Sequence, residues 1–199
     1  FLGLAGLSKC NAAFLALGVG LYVLAAHRPL LREPRLWLAA GLTLLLQAPV
    51  AVWNATEGFA SWAFILHGRH AGLRYSYDGF LGLAFGIVIL ISPFLFWPIA
   101  RFAAGRGAVA GTGFARITFW VSSIAILAVS FSTLVLFHWN LVAYAAMLPF
   151  LAFVLRPRWL LAGQTLWGIA FAGLAFVNYS ILPLTDVQGW RDEATGWSY

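Results

Sequence analysis

Six apolar runs separated by short polar segments set the pattern of this chain. They occupy 1–26, 36–53, 80–100, 117–137, 141–155 and 159–182. A helix needs about 20 apolar residues to cross the hydrocarbon core of a bilayer, with a range of about 17–25. The run 141–155 is short and fits a tilted, partly sunken or re-entrant segment. Because backbone groups in lipid must be hydrogen-bonded internally, the runs predict about six transmembrane helices.

The predicted fold class is all-α, a polytopic membrane helix bundle. Alternating strands of a β-barrel would not give such continuous runs. The bundle covers 1–182, and 183–199 is predicted to start an outer C-terminal segment. Composition agrees, since 62% of residues are hydrophobic and 9% are charged, against about 25% charged in soluble domains.

Arginines recur in every second loop between the runs. The loops 27–35, 101–116 and 156–158 hold eight of the twelve Lys and Arg residues. Positive charge collects in cytoplasmic loops, so these three should lie inside. The segment 54–79, the link at 138–140 and the tail then lie outside. The net charge of +6 is thus a topology signal, and no nucleic-acid partner is expected.

The outer segment 54–79 is too long for a simple turn. Asn54 and Glu57 have the spacing of a capping box, and Gly68 would end the helix that follows. Apolar positions recur between them at helical spacing: Phe59, Trp62, Ala63 and Leu66. The pattern predicts a short helix lying in the outer interface.

Lys9 is the only lysine and lies inside an apolar run. An ionisable group within a membrane segment is costly and is first treated as a functional-site hypothesis. An ammonium binds phosphate as a point charge, so a lipid phosphate is a suitable partner. The alternative is a lysine that snorkels to the outer interface.

Two other polar clusters fall on the predicted outer side. In His67-Gly68-Arg69-His70, Arg69 offers a planar fork to phosphate oxygens, although the cluster could equally be a solvated group touching lipid headgroups. His138-Trp139-Asn140 forms a tight link, which could also be an interfacial tryptophan in a turn. The two histidines near Arg69 lack a third ligand, so no metal site is predicted.

The few acids give little support for proton-coupled transport. None of them lies inside an apolar run, and Asp78 is expected to cap the helix from Phe80. They are Glu33 on the inner side and Glu57, Asp78, Asp186, Asp192 and Glu193 on the outer side. Cys10, the single cysteine, excludes a disulfide framework and is expected to be a small packing residue.

Four segments, taken in order, resemble the polyprenol-phosphate-sugar-dependent glycosyltransferases of the GT-C type, such as the dolichyl-phosphate-mannose–protein mannosyltransferases and the lipid A aminoarabinose transferases. The resemblance covers nearly all of the chain. The segments are Gly6-Leu7-Ser8-Lys9, the stretch from Ala48 through Trp53-Asn54 to Gly68-Arg69, the link Phe137-His138-Trp139-Asn140, and Asp186-Val187-Gln188-Gly189-Trp190-Arg191.

The resemblance implies transfer of a sugar from a polyprenyl-phosphate donor to a lipid, polysaccharide or protein hydroxyl, at the outer face of a bacterial inner (plasma) membrane. One acid acts as general base on the acceptor, and no cofactor is implied. Lys9 and Arg69 match positions where the family places phosphate-binding cations. Four further residues would line the same cavity: Trp53, Asn54, His67 and His138.

The chain departs from the family in one important respect. The family's acidic residue lies in the first outer loop, after the first helix, and no acid here matches it. The catalytic residue is therefore unassigned. Because Phe1 opens inside a predicted helix, we expect a piece from the C-terminal part of the membrane domain, inactive by itself. The order His138-Trp139-Asn140 also differs from the commoner Asn-Trp-Pro.

Two other functions fit the same residues. In a membrane transport or lipid-flipping protein, Lys9 and Arg69 would guide an anionic lipid-linked substrate. In a non-catalytic scaffold, Lys9 would pair with a partner helix. A transferase needs an outer acid near the cations, whereas a flippase needs a polar path across the bilayer.

Overall fold

The computed structural model describes residues 1–63, 75, 77–106, 111–133, 135–154 and 157–180. Every regular element in these ranges is helical. The α-helices are α1 (Leu2–Ser8), α2 (Ala12–Ala26), α3 (Pro34–Leu45), α4 (Ala48–Thr56), α5 (Ala60–Ala63), α6 (Tyr77–Ile91), α7 (Phe96–Ala103), α8 (Thr112–Ser130), α9 (Leu141–Val154) and α10 (Arg158–Ser180). Short 3₁₀ turns at Arg28–Arg32, Pro93–Leu95 and Phe137–Asn140 join some of them.

Several of these helices have the length and composition of membrane spans, which confirms an all-α chain with membrane-type helices. Three qualify individually: Pro34–Thr56, which combines α3 and α4, Thr112–Ser130 and Arg158–Asn178. A bent pair, Tyr77–Ile89 with Pro93–Ala103, makes a fourth if it is counted as one span. Ala12–Ala26 and His138–Phe153 are shorter apolar helices.

The first apolar run is two helices, so the prediction of one helix over 1–26 is wrong. The chain leaves α1 at Lys9, whose backbone is extended with φ −156° and ψ 135°, and enters α2 after Asn11. The Asn11 side-chain amide donates a hydrogen bond of 2.7 Å to the carbonyl of Trp139. Asn11 at the break therefore bonds to a distant segment of the chain.

The run 80–100 is likewise not a straight helix. At Ser92 the backbone has φ 79°, and the segments on either side meet at 88°. Pro93 accounts for the break, because a proline disfavours helical geometry in the residue before it. The Ser92 hydroxyl then accepts the backbone N–H of Phe94 at 3.1 Å, capping the next turn.

The capping box predicted at Asn54 is also wrong. Asn54 lies inside α4, where its amide donates to the carbonyl of Val50 at 2.9 Å. The chain turns after this helix through Gly58, which has φ 61°, and α5 begins at Ala60. The remainder of the predicted interfacial helix, including its stop at Gly68, lies outside the described residues.

Helix α8 is at the centre of the packing and contacts both α2 and α9. Membrane helices associate largely through small residues and close packing, and Gly18 of α2 lies directly against Thr118 of α8. The larger apolar cluster joins α7, α8 and α9: Leu95, Phe102, Ala115, Phe119, Ala143, Met147 and Leu151. A smaller one joins Leu83, Ile126 and Val135.

Helices α2 and α9 run antiparallel to α8. Tyr22, near the end of α2, packs on Phe114 at the start of α8, with ring centroids 5.7 Å apart. Asn140, which precedes α9, bonds to Ser122, whereas Phe150 further along α9 lies near Gly111. These contacts place the turn after α2 and the start of α8 at one end of the bundle.

Helices α6 and α10 continue the alternation. Gly79, at the start of α6, lies against the backbone of Ser130 and Thr133. Near the other end of α6, the carbonyl of Ile89 accepts the indole N–H of Trp167 at 2.8 Å, so α10 starts where α6 ends. We call the end that carries 27–33, 104–106, 111 and 157–158 the arginine-rich end. The opposite end carries 9–11, 131–133, 135–140 and the start of α6.

The contact between Gly18 and Thr118 gives a direct stability test. A methyl group added at Gly18 would lie 3.1 Å from the Thr118 Cα and closer still to its hydroxyl. We expect Gly18→Ala to lower the free energy of unfolding in detergent by about 1–3 kcal/mol, because overpacking forces the helices apart. Gly20→Ala is the matched control, since nothing lies within 4 Å of its added methyl. Equal thermal stability of the two variants would contradict this packing.

Candidate functional site

The break at 9–11 is the first component of the candidate site. Lys9 is exposed, and within the described residues its ammonium has neither an ion pair nor a hydrogen bond. Cys10 beside it is an exposed free thiol, so the expected packing role for this cysteine is wrong. The Lys9 ammonium therefore lies on a short connection between two apolar helices, where it is accessible to an anionic ligand.

The turn at Phe137–Asn140 is the second component. The hydrogen bond from Asn11 to the Trp139 carbonyl joins it to the break. Lys9 and His138 each lie within two residues of this bond, so the two predicted site residues occur at the same end of the bundle. His138 itself is half-buried.

A buried polar network fixes this turn to the central helix. Asn140 is 5% exposed and accepts the Ser122 hydroxyl at 2.7 Å, while its amide donates to the Ser123 hydroxyl at 3.1 Å. A buried amide in an apolar setting is costly unless it is bonded. Because both of its polar atoms have partners, the turn has a defined position on α8, and through Asn11 so does the Lys9 break.

Aromatic rings form a third component at the same end. Phe131 stacks nearly parallel with Tyr75 and with Phe80, at centroid distances of 5.9 and 5.2 Å, and Tyr77 meets Tyr75 edge-on at 5.3 Å. The two tyrosines are exposed. The hydrogen bond with Tyr77 and partial desolvation raise the pKa of the Tyr75 phenol above its ordinary value. A tyrosine is already neutral at physiological pH at its ordinary pKa of about 10, and the raised pKa of Tyr75 does not change that.

Asp78 follows Tyr77 in the first turn of α6. The helix starts at Tyr77, so Asp78 is not the capping residue in front of Phe80 that the sequence suggested. A carboxylate in a first helical turn still interacts favourably with the helix dipole. Asp78 is the described acid nearest to the start of α6, while Glu33 lies at the arginine-rich end and Glu57 follows α4.

Trp53 and Asn54 form a separate corner. Trp53 is exposed and Asn54 is 2% exposed. Within the described part of the chain, the side chain of Asn54 bonds to Val50 and to the Ser61 hydroxyl. No side-chain hydrogen bond of Asn54 in that part reaches the Lys9 break, so the structure does not join these two predicted components. His67 and Arg69 lie outside the described residues.

Sequence reasoning missed the polar residues that hold the site together. Asn11 bonds to the Trp139 carbonyl, and Gln47 bonds to the Gly3 carbonyl at 2.7 Å, where α1 meets the junction of α3 and α4. The sequence did indicate that Asn11 and Gln47 would make hydrogen bonds, because a polar side chain inside an apolar run is expected to find a partner. The identity of that partner depends on the tertiary fold.

The described components include groups that can bind an anion. In the described ranges, His, Cys, Asp and Glu side chains do not gather in groups of three or more. What they offer is an exposed ammonium, a half-buried imidazole and phenol groups at one end of an apolar bundle. An ammonium in such surroundings binds phosphate or carboxylate as a point charge.

Fold and site together define a helical protein with membrane-type spans and an exposed cation at one end. Comparison of the chain with models of known protein families, with curated proteins and with solved structures finds no match.

The single cysteine allows the orientation of this site to be measured in the native sequence. We expect a membrane-impermeant maleimide to label Cys10 in intact cells, because its loop lies opposite the arginine-rich end. As the matched control, Leu30→Cys in a Cys10→Ser background should label only after permeabilisation. Leu30 is exposed at the arginine-rich end. The reverse pattern would show that the predicted orientation is wrong.

Proposed function

We propose that this chain is part of a GT-C type glycosyltransferase. It would move a sugar from a polyprenyl-phosphate donor to a lipid, polysaccharide or protein acceptor at the outer face of a bacterial inner membrane. In this proposal all six apolar runs contribute spans, with the broken ones as bent or paired segments. The end of the bundle opposite the arginine-rich loops is the outer one.

The observation that carries the proposal is the exposed ammonium of Lys9 at the helix break, which has no ion pair or hydrogen bond within the described part of the chain. A polyprenyl phosphate has its chain in the bilayer and its phosphate at the interface. Lys9 lies at the end of the bundle where such a phosphate would be bound. As the sugar leaves, negative charge develops on the phosphate, and a fixed cation stabilises that charge.

A second cation is proposed from the family resemblance. Arg69 precedes Tyr75 by six residues in the sequence, and its guanidinium would bind the same phosphate with a planar pair of donors. His67 would line the cavity with His138, Trp53 and Asn54. The exposed rings of Tyr75 and Tyr77 suit a sugar, because a phenol offers an apolar face and a polar tip.

The general base remains unassigned in the proposal. It is expected from a first outer loop that precedes these residues in the family. The 199-residue chain alone should therefore lack transfer activity while retaining donor binding. This makes binding the more informative measurement on the isolated chain.

Substitution of Lys9 tests the proposal. In the natural full-length protein, Lys9→Ala should lower kcat/KM by about tenfold to a hundredfold, because it removes one charge-assisted contact to phosphate. Lys9→Arg should retain most activity. Arg69→Ala should cause a loss of similar size, and Arg158→Gln, at the other end of the bundle, should cause none. Undiminished transfer by both Lys9→Ala and Arg69→Ala would remove the phosphate-binding assignment.

A transport function is the second candidate, favoured by one observation. Four hydroxyl side chains along α8 are buried: Thr112, Thr118, Ser122 and Ser130. They extend from one end of the helix to the other, over about 27 Å at a rise of about 1.5 Å per residue. They do not share one side of the helix, but they would place hydroxyl groups at several depths for a lipid headgroup that crosses the bilayer.

Lipid movement separates the two candidates. Under the transferase proposal, the purified chain in vesicles should not accelerate transfer of a headgroup-labelled polyprenyl phosphate between leaflets. Leaflet transfer is followed by quenching with an impermeant reductant, with protein-free vesicles as the control. Acceleration that is abolished by Thr118→Val and Ser122→Ala would favour transport instead.

A further inference from the structure

A groove with a volume of about 480 Å³ lies between α2 and α8 on the surface of the bundle. Its walls are Leu17 and Leu21 from α2 and Ile117, Trp120 and Ile124 from α8. Arg116 is the charged residue among those lining it. The residues that line the groove belong to α2 and α8 and are different from the candidate site residues at 9–11 and 137–140.

The dimensions of the groove match one leaflet of a bilayer. It extends along α8 from Arg116 to Ala125, about 14 Å at a rise of about 1.5 Å per residue. Half of the hydrocarbon core is about 15 Å thick. The walls are also open to the surroundings, since Leu17, Trp120 and Ile124 are exposed by 53%, 46% and 58%. A segment of an extended acyl chain is an apolar ligand of this length.

Arg116 marks the end of the groove where a headgroup would lie. It is in the second turn of α8, at the arginine-rich end, and is half-buried. Within the described residues it has no ion pair and no hydrogen bond. Its guanidinium lies over Gly105, which has φ 74°, in the space that any side chain at that position would occupy. Gly105 thus leaves room for this guanidinium, and the described residues give it no counter-ion.

We propose that this groove binds one anionic phospholipid from the leaflet at the arginine-rich end. The phosphate lies on Arg116, whose planar fork pairs with two phosphate oxygens. One acyl chain lies between α2 and α8 along Leu21, Leu17 and Ile124. Basic pockets between membrane helices on the cytoplasmic side are typical sites for such headgroups.

Charge complementarity favours this occupant over another copy of the chain. A second protein copy would have to bring a carboxylate to Arg116 at the depth of the membrane boundary. The only acid at the arginine-rich end of the sequence before 183 is Glu33, on the turn that leads into α3. The site is independent of the proposed glycosyl transfer, because Lys9 lies at the other end of α2.

Native mass spectrometry of the purified chain tests the proposal. The protein is released from nanodiscs that contain phosphatidylcholine and phosphatidylglycerol of the same acyl composition. We expect one phosphatidylglycerol to be retained in preference to phosphatidylcholine. Arg116→Gln should lower that preference about fivefold, which corresponds to loss of one interfacial cation. Arg158→Gln removes the same charge from an exposed position at the same end and should leave the preference unchanged.

The acyl-chain part of the site has its own variant. Ala125→Leu adds bulk at the far end of the groove and should lower retention of both lipids, while Arg116→Lys should keep the preference for phosphatidylglycerol. If Arg116→Gln does not fold, as judged by circular dichroism and elution volume, the comparison of Arg116→Lys with Ala125→Leu decides the matter.

Three outcomes would overturn the inference. Equal losses from Arg116→Gln and Arg158→Gln would mean that surface charge attracts lipid without a defined site. Unchanged retention in Ala125→Leu would mean that the groove does not hold the chain. A protein dimer that excludes lipid, and that Ala125→Leu disrupts, would assign the groove to a second copy.

Discussion

The two hydrogen bonds of Asn140 are the interaction on which this end of the molecule depends. Ser122 and Ser123 satisfy both polar atoms of the buried amide, and in an apolar medium an unsatisfied amide would be costly. They fix the 137–140 turn on α8. The Trp139 carbonyl of that turn then accepts a hydrogen bond from Asn11, so the position of Lys9 follows from a contact made by a residue two positions after it.

The helices could be predicted from the sequence because apolar length is a strong local signal. The run 159–182 corresponds closely to α10, whereas α8 begins five residues before the run 117–137 and ends seven residues before that run ends. The break at 9–11 could not be predicted, since it depends on a hydrogen bond to a residue far along the chain. The break at Ser92 was foreseeable, because Pro93 acts on its immediate neighbour. Asn54 misled the prediction because amides occur both at helix starts and inside helices.

Two residues of the candidate site could be recognised from a local signal in the sequence. Lys9 and His138 stood out as polar groups beside apolar runs, and they do occur at one end of the bundle. The residues that bring them together, Asn11 and Ser122, are ordinary polar residues whose importance lies in their partners. The arginines in alternate loops also predicted the direction of each helix through the bundle. The contacts of α2, α6, α8, α9 and α10 show the same alternation of direction.

The spans differ greatly in how much protein surrounds them. A third of the most apolar stretch of Thr112–Ser130 is buried inside the protein. The buried share of the corresponding stretch is 0% in Pro34–Thr56 and 6% in Arg158–Asn178. Side-chain packing within the described residues therefore constrains α8 far more than it constrains the other two helices. Over evolutionary time, many apolar sequences could replace α3 and α10, but α8 would accept few changes. Divergence among related chains should be concentrated in the helices at the periphery.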